Sequence, residues 1–215
     1  MKKRIIISIW SDPSNYINLL FLIKYFLKKK INIILICQKI EKKEDFNYFI
    51  NNTKYLKIFE IKKSGRLGYL NFYHKKKDII KKINPQTLIS VNFISLFLSS
   101  LIYKKNINWI YYNFDFNLSK GLRINNFLEK YIIKCVNYIF LPSESRVKLY
   151  KKNFLRKKDI FSLHNCFSKF FKIQNYKIEK KYNILNKKKY LVRLGSFYKF
   201  HYLEELALST KFWSK

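Results

Sequence analysis

Residues 129–167 read EKYIIKCVNYIFLPSESRVKLYKKNFLRKKDIFSLHNCF, and this stretch decides the fold class. Tyr131, Ile132, Cys135 and Val136 recur at helical spacing, with Asn126 placed to cap the helix that carries them. Tyr138–Leu141 is a short apolar run stopped by Pro142, the pattern of a strand buried on both faces. Ser143 is positioned to cap the next helix, with Arg146 where many capping boxes carry Glu. A second short strand, Asp159–Leu163, runs into His164, Asn165 and Cys166. Buried strands alternating with helices pair in parallel, and such sheets gather ligands at the carboxyl ends of their strands. The expected class is therefore α/β, a Rossmann-like parallel sheet with flanking helices.

The alternation extends back to the amino terminus. Arg4–Trp10 is an apolar strand, Ser11-Asp12-Pro13-Ser14 its turn, with Ser14 or Asp12 as cap. A helix then runs from about Asn15 to Lys30, with Ile17, Leu20, Phe21 and Tyr25 on its apolar face. Ile31–Cys37 reads as a strand, 41–52 as a loop or short helix, and Tyr55–Ile61 as a strand. The loop Ser64-Gly65-Arg66-Leu67-Gly68 has neither the glycine spacing nor the Lys-Ser/Thr ending of a phosphate-binding loop. In the basic helix from about Tyr69 to Ile83, His74 beside Lys75, Lys76 and Lys77 reads as a solvated surface residue. The stretch 87–103 is the most apolar of the chain. It falls short of the ~20 residues of a spanning helix and Asn92 interrupts it, so strand Thr87–Val91 followed by helix Phe93–Tyr103 is expected. Asn108–Asn113 is the next strand, and a helix spans about Ser119–Cys135.

The sequence holds 45 Lys+Arg against 13 Asp+Glu, a net charge of +32, which attracts anionic membrane surfaces and nucleic acid without selecting among them. Lysine is spread over nearly every helix and loop, and Lys, Asn, Ile, Phe and Tyr dominate as AT-rich codons would produce. No helix-turn-helix, RNP or zinc-finger pattern is present, so no specific nucleic-acid partner is expected. Cys37, Cys135 and Cys166 are odd in number and lack CxxC spacing, which speaks against a disulfide framework and a zinc site and fits a reducing cytoplasm. Cys37 and Cys135 stand among apolar residues and read as core. The basic start MKKRIIISIW is too short an apolar run for a signal peptide, and Asp12-Pro13 interrupts it.

The opening stretch resembles the end of the first domain of GT-B glycosyltransferases of glycosyltransferase family 4. The matching pieces are a helix led by Glu129, the strand and turn Asn137-Tyr138-Ile139-Phe140-Leu141-Pro142-Ser143, and Ser162-Leu163-His164-Asn165-Cys166 where the chain would cross to a second domain. Leu191-Val192-Arg193-Leu194-Gly195-Ser196 and Leu203-Glu204-Glu205-Leu206 resemble the first strand, glycine turn and helix of that second domain. The resemblance implies three parts: an acceptor-side domain over residues 1–171, a polar linker over 172–189, and the start of a donor-side domain over 190–215. It covers about half of a family member, as if the chain were truncated.

The resemblance further implies transfer of a sugar from a nucleotide sugar to an envelope glycan or lipid-linked acceptor, with no cofactor beyond the nucleotide sugar as donor substrate. Where the family has a strand-end His and then Asp, this chain has Val91 and Asn92. Valine cannot move a proton, so the polar duty there falls to Asn92. The first turn lacks the family's glycines, so ligand contact would need Asp12, Ser14 or Asn15. Asp115, at a strand's carboxyl edge, could hold a sugar hydroxyl or serve as a turn residue. Glu144 could do the same or favour the helix dipole. The acceptor-binding candidates are Asp12, Asn15, Asn92 and Asp115, the donor-side candidates Gly195 and Ser196, and no catalytic residue is assigned. The family's glutamate pair and basic diphosphate partner have no match, so the chain alone is expected to be inactive, with a separate donor-domain polypeptide as one implied partner. An anionic membrane surface is the other, which places the protein in the cytoplasm, peripheral at the inner face of the membrane. A noncatalytic basic α/β module binding anionic membrane or nucleic acid is the alternative.

Overall fold

The computed structural model describes residues 4–41, 43–50, 54–62, 68–102, 106–114, 123–154 and 160–163. All of them lie in the first of two units of the chain, Met1–Ser168. The strands are β1 (Arg4–Ile9), β2 (Asn32–Gln38), β3 (Leu56–Ile61), β4 (Thr87–Val91), β5 (Asn108–Tyr112), β6 (Tyr138–Leu141) and β7 (Ile160–Ser162). The helices between them are α1 (Ile17–Lys28), α2 (Lys43–Ile50), α3 (Gly68–Ile83), α4 (Asn92–Ser100), α5 (Arg123–Ile132) and α6 (Glu144–Phe154). The strands form one seven-stranded sheet in the order β3-β2-β1-β4-β5-β6-β7. Every neighbouring pair is parallel.

Both faces of the sheet are covered, which explains why the strands read as continuous apolar runs. Ile6, Ile34, Leu88, Trp109, Tyr111 and Ile139 pack with residues of α3, α4, α5 and α6. Ile5, Ile7, Leu35, Ile89 and Val91 pack with residues of α1 and α2. The two sets alternate along each strand, as side chains on a pleated ribbon must. β1 and β4 pair from Ile5↔Thr87 to Ile9↔Val91, so the two central strands end together.

β4 and β6 have the expected bounds, the 41–52 stretch contains helix α2, and the apolar 87–103 stretch divides into β4 and α4. No helix among the described residues is long and apolar enough to cross a membrane. Three local expectations are corrected. α1 buries Leu19, Leu20, Ile23 and Leu27, while Tyr25 is 57% exposed; its sequence is apolar nearly all round, so packing rather than periodicity chose the face. α5 starts at Arg123, which places Asn126 inside the helix instead of at its cap. Cys135 is exposed in a 3-10 turn that follows α5, whereas Cys37 is buried in the core as expected. The expectations for Asp115, Cys166, Gly195, Ser196, the 172–189 linker and the 190–215 piece fall outside the described residues.

Candidate functional site at the switch point of the sheet

The chain leaves β1 toward β2 on one side and later returns to β4 on the other. In an open parallel sheet that reversal leaves a crevice at the carboxyl ends of the two strands. Here a cleft of about 240 Å³ occupies it, lined by Ile9, Trp10, Ser11, Tyr16, Val91, Asn92, Phe93, Ile94 and Ser95.

Asn92 is the pivot of this edge. Val91 ends β4 and Asn92 begins α4 without an intervening loop. The abrupt turn requires a left-handed backbone, and Asn92 has φ of 60°. Asparagine tolerates that region better than most residues. Here its amide bonds at long range, joining three strand ends. Its Oδ1 accepts from the Phe114 N–H at 2.9 Å, and its Nδ2 donates to the Tyr16 hydroxyl at 3.3 Å. Phe114 also stacks on Tyr16 (5.4 Å) and on Tyr112 (4.2 Å), and its carbonyl accepts from Arg146 Nη1 at 2.6 Å. The turn after β1, the β4–α4 junction, the segment after β5 and the start of α6 are thus held in one hydrogen-bonded rim.

No side chain caps α4, and Phe93, Ile94 and Ser95 of its first turn line the cleft. The positive end of the helix dipole therefore faces the cavity. Below it lies a buried polar layer. The Ser95 hydroxyl donates to the Ser8 carbonyl at 2.7 Å, and the Ser99 hydroxyl donates to the Ser95 carbonyl at 2.7 Å. Ser90 Oγ pairs with Ser99 Oγ and accepts from Trp109 Nε1 at 2.9 Å. Lys76, fully buried on α3, donates to the Ser95 carbonyl at 3.0 Å and to Ser99 Oγ. Burial without a carboxylate beside it holds the Lys76 amine well below the usual lysine range.

Of the sequence candidates that fall among the described residues, Asn92 alone lines the cleft. Asp12 is buried beside it, but both its oxygens are engaged by backbone. Oδ1 accepts from the Ser14 N–H at 2.8 Å and Oδ2 from the Glu41 N–H at 2.9 Å, so the carboxylate caps the turn after β1 and ties it to the loop after β2. Asn15 is exposed on that turn, and His74 is exposed on α3. Glu144 sits exposed in the first turn of α6, where Ser143 Oγ accepts from the Arg146 N–H at 3.3 Å as the expected cap. Trp10, Ser11, Tyr16 and Ser95 line the cleft and were not singled out in the sequence; for the first three the position just after the first strand was the available signal, and for Ser95 its place in the first turn of α4.

Among the described residues, the lining carries no carboxylate, imidazole or thiol. The cleft can hold an uncharged ligand against Trp10 and Tyr16, with the Asn92 amide and α4 backbone N–H groups as donors. Among the described residues, no cluster of His, Cys, Asp or Glu could hold a metal ion.

Solved structures of other proteins share this architecture. Sucrose-phosphate synthase from Thermosynechococcus elongatus aligns over 75% of this chain and 48% of its own, at 10% identity and a TM-score of 0.58. UDP-N-acetylglucosamine 2-epimerase from Rickettsia bellii aligns over 75% and 44%, at 15% identity and 0.56. A glycosyltransferase from Rickettsia africae aligns over 76% and 43%, at 13% identity and 0.55. The likeness is one of fold. At these identities it establishes the Rossmann-like α/β architecture, and the chain spans just under half the length of each of these proteins. No family model and no curated protein matches the sequence.

Proposed function

We propose that this chain carries the acceptor-side domain of a GT-B glycosyltransferase of the family 4 type, and that the β1/β4 cleft seats the acceptor saccharide. The observation that carries the reading is the uncharged cleft at the switch point, a largely apolar lining into which Ser11, Tyr16, Asn92 and Ser95 bring the polar groups, on a fold shared with proteins named for sugar substrates. Sugar hydroxyls suit such a lining, because each takes and gives hydrogen bonds without charge, while Trp10 and Tyr16 offer ring faces or edges to the pyranose. In such an enzyme a donor half supplies the nucleotide-sugar pocket, and the rate gain comes from holding the acceptor hydroxyl against the anomeric carbon and from stabilising the leaving diphosphate.

In this reading the nucleotide sugar is substrate, no further cofactor is used, and a donor-domain polypeptide is a partner. The acceptor is an envelope glycan or a lipid-linked saccharide, met at an anionic membrane surface on the cytoplasmic side. Because the family's glutamate pair and basic diphosphate partner have no match in the sequence, and Val91 cannot take a proton, the chain alone does not transfer sugar. The test is incubation of the purified chain with a panel of nucleotide sugars and lipid-linked acceptors, with nucleotide release as readout. No release is expected. Turnover that disappears in Asn92→Ala or Asp115→Ala would contradict the reading and place the chemistry within this domain.

A further inference from the structure

Among the described large apolar side chains, those of Phe127 and Tyr131 are the most exposed, at 72% and 68%. They stand four residues apart on α5 and so share one face of the helix. Exposed Lys130 and Lys134 flank them, and the Lys134 ammonium lies 5.7 Å from the Tyr131 ring centroid. The opposite face of the same helix is packed into the core through Leu128 and Ile132. From Arg123 to Ser143 the one acidic residue is Glu129, and it is buried, so the exposed charges described on this segment, Lys130 and Lys134, are both positive. An exposed aromatic pair ringed by lysines has the chemistry of an interfacial helix: Phe enters the acyl boundary, Tyr settles at headgroup depth, and lysine stems reach to lipid phosphates.

We propose that this outer face of α5 docks the domain on an anionic phospholipid bilayer. The proposal deepens the membrane partner named above and rests on that reading; it assigns the contact to four side chains rather than to the diffuse +32 charge. A single-stranded nucleic acid is the weaker occupant, because it favours a basic groove that tracks its backbone, whereas a helix exterior is convex and Phe127 offers a phosphate nothing. Placed there, α5 would hold the carboxyl edge of the sheet near the lipid, since its first turns lie close to the strand end at Asn113 that Glu129 binds.

The experiment is vesicle co-sedimentation of the full chain with phosphatidylcholine vesicles, with and without phosphatidylglycerol. Phe127→Ser/Tyr131→Ser should lower the partition coefficient on the anionic vesicles roughly tenfold, and Lys130→Gln/Lys134→Gln should abolish most of the preference for anionic lipid. Tyr25→Ser, which removes an exposed aromatic between Lys24 and Lys28 on α1, should leave both unchanged. Equal losses in the α1 and α5 variants would overturn the proposal in favour of diffuse charge. So would a double variant that loses single-stranded DNA binding and keeps its vesicle binding. Asn92→Ala is expected to bind vesicles as the parent does, so failure of the cleft to bind saccharide leaves this result standing.

Discussion

Two charged side chains are buried on the same face of the sheet, and neither meets an opposite charge among the described residues. Lys76 donates to Ser95 and Ser99, both on α4. Glu129 gathers three donors on one oxygen: the Tyr111 hydroxyl at 2.8 Å, the Tyr150 hydroxyl at 3.1 Å and Asn113 Nδ2 at 3.2 Å. Burial drives both toward their neutral forms. The Lys76 amine is pushed down, and the Glu129 carboxyl is pushed up by desolvation although its three hydrogen bonds pull the other way. The difference lies in what each holds. Lys76 joins α3 to α4, whose serines keep other partners. Glu129 joins α5, β5 and α6, and through Asn113 and Phe114 it reaches the Asn92 rim of the cleft. Equal burial therefore implies unequal consequences.

The largest expected effect is at Glu129. Glu129→Ala removes the shared acceptor of two tyrosine hydroxyls and an amide and should cost about 3 kcal/mol of unfolding free energy. Glu129→Gln, which keeps an acceptor oxygen, should cost about 1 kcal/mol. Urea denaturation measures both, and equal losses would show that the acceptor role is not what matters. Lys76→Met should do the reverse and stabilise by about 2 kcal/mol near neutrality, since an amine with no counter-charge among the described residues leaves the core while Ser95 and Ser99 keep their mutual bond.

The two sites also predict opposite pH slopes. The lowered Lys76 value means that the unfolded chain holds the proton more tightly, so its contribution to stability rises with pH up to the ordinary lysine range. The gain from Lys76→Met should therefore shrink as pH climbs from 7 toward 10. The raised Glu129 value means that the folded chain holds the proton more tightly, so its contribution is full below the ordinary carboxylate pKa and is lost as pH rises through the raised one. Denaturation curves of Glu129→Gln and Lys76→Met against the parent across pH would expose any slope of the wrong sign.

Both sites were legible as helical spacing, although the burial of neither was recognised in the sequence: Lys76 read as solvated, and Glu129 read as leading a helix in which it is the seventh residue. Phe72, Lys76 and Ile80 stand four apart on the buried stripe of α3, but the lysine run 75–77 reads as a solvated face. Glu129 lies three before Ile132 and seven before Val136, on the apolar stripe of α5. Composition hid them: where lysine occurs everywhere, one buried lysine carries no compositional signal. The sheet was legible because apolar runs of strand length alternate with helical ones, and packing on both faces demands that pattern. The cleft was less so, because the left-handed Asn92 and its bonds to Phe114 and Tyr16 depend on three strand ends meeting, which no local pattern encodes.

Smaller effects sharpen the contrast between satisfied and unsatisfied burial. Tyr112, at the end of β5, buries a hydroxyl with no hydrogen-bond partner among the described residues, and desolvation raises its phenol well above the usual range. Tyr112→Phe should therefore stabilise by about 1 kcal/mol in thermal or urea unfolding; a loss would reveal a partner for that hydroxyl. Asn92→Gly keeps the left-handed turn while deleting the amide, and should change stability by no more than about 1 kcal/mol. Asn92→Val, which opposes that backbone, should cost more than the glycine variant.

The central claim is that saccharide binds at the β1/β4 cleft. Its most direct measurement is NMR titration of the full chain with lipid-free oligosaccharide acceptors, following the Trp10 indole N–H and the Asn92 side-chain amide. The account predicts saturable shifts at Trp10, Asn92 and Ser95, with affinity reduced about tenfold in Asn92→Ala while the resonances of the Glu129 cluster stay in place. Saturable binding that shifts residues elsewhere, or that Asn92→Ala leaves unchanged, would contradict it.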